Sequence, residues 1–94
     1  EPTGGVLLEA YACRVPIVAA NAGGIPEVIV HNETGLLAEV GNPIDFADKV
    51  EYLMSSHKLQ KDFTEKGYQY LVDNFTKKVI ADKMYHELNS VLRS

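Results

Sequence analysis

Two carboxylates, Glu1 and Glu9, bracket the run Pro2-Thr3-Gly4-Gly5-Val6-Leu7-Leu8. A glycine pair at a helix start lets the main chain approach a ligand, because no β-carbon intervenes, and leaves unpaired amide donors aimed at it. Such an end favours an anion, and the helix dipole adds about 0.3 to 1 kcal/mol to that preference when exposed. With a helix over residues 5–13, Glu9 lies one turn inside, roughly 6 Å along the axis from the first amides, its side chain leaning back toward them. A carboxylate beside a phosphate is wrong for holding charge, but it accepts well from two vicinal hydroxyls, as acidic residues do for ribose in dinucleotide folds. Glu9 thus reads as a ribose ligand. Glu1, on the far side of the amides, reads as a ligand for the hydroxyls of a second sugar.

The elements that must position these groups follow from periodicity and punctuation. Val6, Leu7, Leu8, Ala10 and Ala12 make a short helical run that must stop before Pro16, which disfavours helix at Val15. Ile17-Val18-Ala19-Ala20 is an apolar run of strand length, as expected for a parallel strand covered on both faces. Asn21-Ala22-Gly23-Gly24 follows as a loop at its carboxyl end, and Pro26 can open a single helical turn through Val30. Gly23, Gly24 and Glu27 either line the same pocket or simply make that turn. A turn over 31–35 enters a second short strand at Leu36-Leu37-Ala38-Glu39-Val40. Asn42 caps a helix with Pro43 at its first position, whose Ile44, Ala47, Val50 and Met54 share one face. Ser56 caps the next, with Leu59, Phe63, Tyr70 and Leu71 as its apolar contacts despite Gly67 in its interior. Thr76 caps a last helix striped by Ile80, Met84, Leu88 and Val91.

Composition sets the bounds. A chain of 94 residues buries roughly 60 to 65% of its unfolded surface, so it is marginal if a neighbouring layer is missing. An apolar fraction of 46% and a charged fraction of 23% are ordinary for a globular piece. No apolar run approaches the roughly 18 to 20 residues of a membrane span. The net charge is -4, and before residue 42 the one Lys or Arg is Arg14, set against Glu1, Glu9, Glu27, Glu33 and Glu39. That argues against nucleic acid, which calls for clustered Lys and Arg. It also means that a diphosphate here needs a cation from elsewhere. The lone Cys13 excludes an intrachain disulfide and suits a reducing compartment; it reads as a small buried residue at a helix end, with no nearby His to activate it. His31, His57 and His86 lack metal-ligand spacing. Lys58, Lys61, Lys66, Lys77, Lys78 and Lys83 alternate with acids and read as a solvated face.

The two glutamates alone are a weak signal, but their company is specific. With Ala10-Tyr11-Ala12-Cys13, Val15-Pro16-Ile17-Val18-Ala19, Gly23-Gly24-Ile25-Pro26-Glu27 and Thr34-Gly35-Leu36-Leu37 in order, the chain resembles the C-terminal half of a retaining glycosyltransferase of the two-Rossmann-domain (GT-B) type, glycosyl transferases group 1 family. The resemblance implies an α/β fold, the C-terminal part of a Rossmann-like nucleotide-sugar-binding domain with short parallel strands covered by helices. Residues 1–94 would then be a partial donor-binding domain, a fragment lacking upstream strands and the N-terminal domain. The implied reaction is hexosyl transfer from a nucleotide-diphosphate sugar to an acceptor hydroxyl, with retention of anomeric configuration. In the family the first Glu contacts the donor sugar, which makes Glu1 the catalytic-site carboxylate and Glu9 the ribose ligand. Main-chain amides over Thr3, Gly4, Gly5 and Val6 would meet sugar and diphosphate oxygens. An upstream Arg and Lys would hold the diphosphate, and no metal or cofactor is implied.

The expected partners are the nucleotide-sugar donor, an acceptor and the N-terminal domain, in a cytoplasmic enzyme peripheral to the membrane through regions outside this chain. Alone, the chain is expected to be inactive, and an exposed sheet edge would favour self-association. Three positions depart from the family pattern. Thr3 and Gly5 stand where Phe and a larger aliphatic are usual, which puts the donor sugar in doubt. Arg14 replaces the glycine that usually ends this helix, at a cost of roughly 1 kcal/mol if the backbone there is left-handed. Two rival readings are a nucleotide-sugar epimerase of the same fold, which needs further acid/base residues upstream, and a non-catalytic binding module, which predicts no response to nucleotide.

Overall fold

The computed structural model describes residues 2–75 together with 81, 82 and 85. The element order is α1 (Pro2–Ala12), β1 (Val18–Ala20), α2 (Ile25–Val28), β2 (Leu36–Ala38), α3 (Pro43–Met54) and α4 (His57–Asn74). The two strands pair in parallel, with Val18 opposite Leu36, Ala19 opposite Leu37 and Ala20 opposite Ala38. This is a βαβ unit flanked by helices. The final helix expected after Thr76, with its Ile80, Met84, Leu88 and Val91 stripe, lies outside the described residues.

Alternation along the strands divides the core into two layers, because successive side chains leave opposite faces. Ile17, Ala19 and Leu37 face a cluster built on Leu7, Leu8 and Tyr11 of α1, Ile29 after α2, and Tyr70, Leu71 and Phe75 at the end of α4. Val18 and Leu36 face Leu53 of α3 and Leu59 and Phe63 at the start of α4. One long helix therefore contributes to both layers. Val18, Ala19 and Ala20 are nevertheless only half-buried, because among the described residues no strand pairs with the second edge of β1.

The helix starts and stops have local causes. Asn42 Oδ1 accepts from the Asp45 amide at 3.0 Å and Ser56 Oγ accepts from the Leu59 amide at 3.1 Å, so both expected caps form. Helix α1 differs from its expected span. It begins at Pro2, not at residue 5, so Gly4 and Gly5 lie inside its first turns and not in a loop before it. Proline suits a first helical position because its missing N–H would have been unpaired there. At the other end, Arg14 has φ +57, the Val15 amide reaches Ala10 O at 2.9 Å and the Arg14 amide reaches Tyr11 O at 3.1 Å. Those two bonds are a Schellman terminus, and Arg14 occupies its left-handed position. The Arg14 guanidinium carbon lies 4.2 Å from the centre of the Tyr68 ring, an attraction that offsets part of the backbone cost. Cys13 beside it is exposed, not buried as expected, because the helix ends there and turns away from the core.

On α3, the expected inner face is largely turned outward. Ile44 and Met54 are 75% and 73% exposed and Ala47 is exposed too, while Leu53 is the residue that enters the core. The 3.6-residue period locates an apolar stripe but not which edge of it the sheet covers.

Two glycines are required by close approaches. A β-carbon on Gly35 would stand 3.0 Å from Ile17 O, at the mouth of the strand pairing. On Gly67 it would stand 2.6 Å from Tyr11 Cδ1, so the notch in α4 exists to receive that ring. In an exposed helix Gly→Ala stabilises by about 1 kcal/mol. Here Gly67→Ala should instead destabilise by about 1 to 3 kcal/mol through overpacking, as read by urea unfolding, and combined with Tyr11→Leu the two losses should be less than additive.

Candidate functional site

In α/β sheets ligands sit outside the carboxyl ends of the strands. The connection 13–17 returns the C-terminus of α1 to the entry of β1, so α1 runs back alongside the strand and its N-terminus lies at that carboxyl end. With Pro2 at the start, the amides of Thr3 and Gly4 have no intrahelical carbonyl to bond. Glu9 is then about 8 Å along the axis from them, one and a half turns in, farther than a helix starting at residue 5 would give. Gly5 is buried, Val6 is 54% exposed and Glu9 is half-buried. Val6 and Glu9, three apart, share the stripe opposite Leu7, Leu8 and Tyr11, facing away from the core. Among the described residues the Glu9 carboxylate has no hydrogen-bond or ion-pair partner. Glu1 and the side chain of Thr3 lie outside what is described.

The second motif segment comes close to the first. Helix α2 packs against α1, and the Glu27 side chain folds back so that Oε2 would lie 3.3 Å from a β-carbon on Gly24. Its N-terminal loop, Asn21 to Gly24, leaves the carboxyl end of β1, with the Asn21 amide bonded to Ala38 O at 2.8 Å. A shallow hollow lined by Ala20, Glu39, Gly41, Asn42, Pro43 and Phe46 opens at the same ends of the strands.

That hollow has a rigid wall. Asp45 Oδ2 accepts from the Glu39 amide at 2.7 Å, Asp45 Oδ1 accepts from Lys49 Nζ at 2.7 Å, and Asn42 Nδ2 donates to Glu39 Oε2 at 3.2 Å. The Lys49 ammonium first, and the Glu39 amide second, hold the Asp45 carboxyl below its ordinary value of 3.8.

Within the first 41 residues the charge at this end is one-sided, and Lys49 beyond them is paired with Asp45. Glu9, Glu27 and Glu39 are here, whereas Arg14 sits past the far end of α1, roughly 15 Å from its start, engaged with Tyr68. No cation within the first 41 residues can therefore reach an anion on the α1 amides. Among the described residues no group of three His, Cys, Asp or Glu is placed to hold a metal. His31 Nδ1 accepts from the Leu37 amide at 2.9 Å, a turn-capping role.

The polar network that sequence reasoning missed runs between the elements. Tyr11 Oη donates to Val28 O at 2.6 Å and meets Thr34 Oγ1 at 2.8 Å. Since the single tyrosine proton goes to the carbonyl, the Thr34 hydroxyl donates to Tyr11, and it accepts in turn from the Val30 amide at 2.9 Å. A tyrosine between two alanines was the one available signal.

A parallel βαβ core with an amide-opened helix at the strands' carboxyl ends is the architecture of GT-B glycosyltransferases. Residues 1–70 match the family model described as glycosyl transferases group 1, and the chain belongs to that family. It is 38% identical over 93 residues to N-acetyl-alpha-D-glucosaminyl L-malate synthase of Bacillus anthracis, covering 99% of this chain and 24% of that protein. The C-terminal domain of LpcC, a glycosyl transferase group 1 protein of Francisella tularensis, superposes with a TM-score of 0.66 at 34% identity, over 74% of this chain and 36% of the other. HepE of Anabaena, solved with UDP and glucose, gives a TM-score of 0.72 at 25% identity, over 90% and 23%. The chain thus spans about a quarter of the length of the curated relative.

The wall at Asp45 has a pH signature. A carboxyl lowered by folding contributes stability above its unfolded value, and that contribution disappears as pH falls through the lower native value. Asp45→Asn should therefore be less stable than the parent at pH 7, and the difference should vanish in acid below pH 3.8, followed by urea unfolding at each pH.

Proposed function

We propose that this chain is the donor-binding, C-terminal part of an enzyme that moves a sugar from a nucleotide-diphosphate sugar to an acceptor hydroxyl with retention of configuration. The observation that carries the reading is the first helix: it starts at Pro2, so the amides of Thr3 and Gly4 have no intrahelical carbonyl, and Glu9, without a partner among the described residues, lies on its outward stripe at the carboxyl ends of parallel strands. The amides of Thr3 and Gly4 bind diphosphate oxygens, Glu9 accepts from the ribose hydroxyls, and Gly5 and Val6 bound the path between. Glu1 meets the transferred sugar. In the reaction the bond from the anomeric carbon to the diphosphate oxygen breaks and its electron pair leaves with the diphosphate. The acceptor oxygen bonds to the same face and its proton passes to the leaving group. Preorganised amides stabilise the charge that grows there.

Acidity at this end supports a division of labour, with an Arg and a Lys from upstream of Glu1 supplying the charge that balances the diphosphate. No metal is required. The setting is cytoplasmic, with membrane contact through other regions, and the isolated 94 residues are inactive. HepE's UDP and glucose complex and the group 1 family match are the supports for a nucleotide-sugar donor.

In the full-length enzyme, titration calorimetry with uridine and guanosine diphosphates should find one that binds. Glu9→Gln should weaken it by about 10- to 100-fold, the worth of hydrogen bonds to a charged acceptor. Unchanged affinity would remove Glu9 from the ribose site.

A further inference from the structure

Helix α2 is four residues long, and none of its side chains is fully buried. Ile25 and Val28 pack on the core cluster, but a single helical turn is not stable on its own account. Its carbonyls are held as well. Ile25 O receives the Ile29 amide at 2.9 Å, and the two that close the helix are taken by tyrosines from different elements: Tyr70 Oη of α4 donates to Glu27 O at 3.1 Å and Tyr11 Oη of α1 donates to Val28 O at 2.6 Å. The rings meet edge to face, 5.7 Å between centres, and Tyr70 in turn meets Phe75 at 6.5 Å. Thr34 fixes the Tyr11 hydroxyl from the other side, and the Gly67 notch seats its ring. The Tyr11 hydroxyl therefore has no second place to go, whereas the Tyr70 bond is open to solvent.

We propose that Tyr11 and Tyr70 are positioning residues that hold α2, and with it Gly24 and Glu27, at the carboxyl end of β1 where the donor binds. This rests on the donor reading given above. The argument is one of leverage: the tyrosines grip the carbonyls of Glu27 and Val28 at the C-terminal end of α2, so Glu27 is held directly, while Gly24 lies at the other end of the same turn, about 6 Å away. Because α1 carries both the Tyr11 grip and Glu9, the two motif segments are tied into one body. A shift of about 1 Å at such a site is enough to cost up to about 100-fold in rate.

The test uses Tyr11→Phe, Tyr70→Phe and the double variant in the full-length protein. Phenylalanine keeps the ring pair and fills the notch, so only the three hydrogen bonds of the two hydroxyls are lost. Hydrogen exchange without ligand should show the Glu27 and Ile29 amides exchanging about tenfold faster or more in the double variant, with Val50 and Leu53 of α3 unchanged. Steady-state kinetics should show the donor KM raised about fivefold or more with the acceptor KM unchanged, and Tyr70→Phe alone, losing an exposed bond, should lie between parent and double variant. Faster exchange in α3 as well would overturn the proposal in favour of a general structural role. Selective opening of α2 with an unaltered donor KM would also overturn it. A parent enzyme that binds no nucleoside diphosphate would sink the donor reading and this inference with it, a failure told apart because the exchange result is obtained without ligand.

Discussion

The hydroxyl of Tyr11 is the contact on which the arrangement of the motif segments depends. A phenol buried in the apolar layer needs partners, and it finds them in the Val28 carbonyl and the Thr34 hydroxyl, residues 17 and 23 positions away. Through these bonds α1, the end of α2 and the entry to β2 share one fixed geometry, and the ring adds α4 by occupying the space left by Gly67. Burial is the larger influence on the phenol, raising its pKa above the ordinary 10.0 against the lowering effect of the Thr34 bond. The neutral form is therefore the one folding favours, and this contribution is complete below pH 10 and lost as pH rises through the native value. The charge on the site is thus separated from the bonds that hold it together.

That separation has a counterpart in the distribution of cations. A helix start with open amides is attractive to anions, but its dipole is worth only about 0.3 to 1 kcal/mol when exposed. The acids around it oppose that attraction. Arg14, the nearest cation in sequence, is committed to the opposite end of α1, where it sits in the left-handed residue of the helix terminus and over Tyr68. Its role is to end a helix. A glycine there would relax the backbone but lose the ring contact, which is how a charged residue can stand in a position that favours glycine.

Much of the fold was legible because its determinants are local. Asn42, Pro43 and Ser56 act within one turn of themselves, and the apolar run before Asn21 pairs as a parallel strand. What failed to show in the sequence depends on groups far apart in the chain. Gly67 looked like a weakness in α4, and its reason is a ring 56 residues earlier. Helix α1 starts three residues before the point its glycines suggest, because Pro2 is as good an opening signal and the tertiary contacts of Leu7, Leu8 and Tyr11 carry the helix through them. The residue type of Cys13 suggests burial, whereas the Schellman terminus turns it outward.

The candidate site divides along the same line. The motif residues were legible as types and spacing, and the structure adds the orientation: Val6 and Glu9 on the outer stripe, Glu27 folded over Gly24. Periodicity could give the stripe on α3 but not its covering. Ile44, Ala47 and Met54 stand in solvent while Leu53 is buried, and Val18 to Ala20 are only half-covered on a strand with one edge unpaired among the described residues. Both facts have one physical reading. A two-stranded sheet is too narrow to cover helices of this length, since neighbouring strands are about 4.8 Å apart and a helix with its side chains is about 10 Å across. The chain's own packing is therefore complete around Tyr11 and thin at the outer side of β1 and α3. The first region fixes the geometry of the motif segments, and the second leaves apolar side chains uncovered.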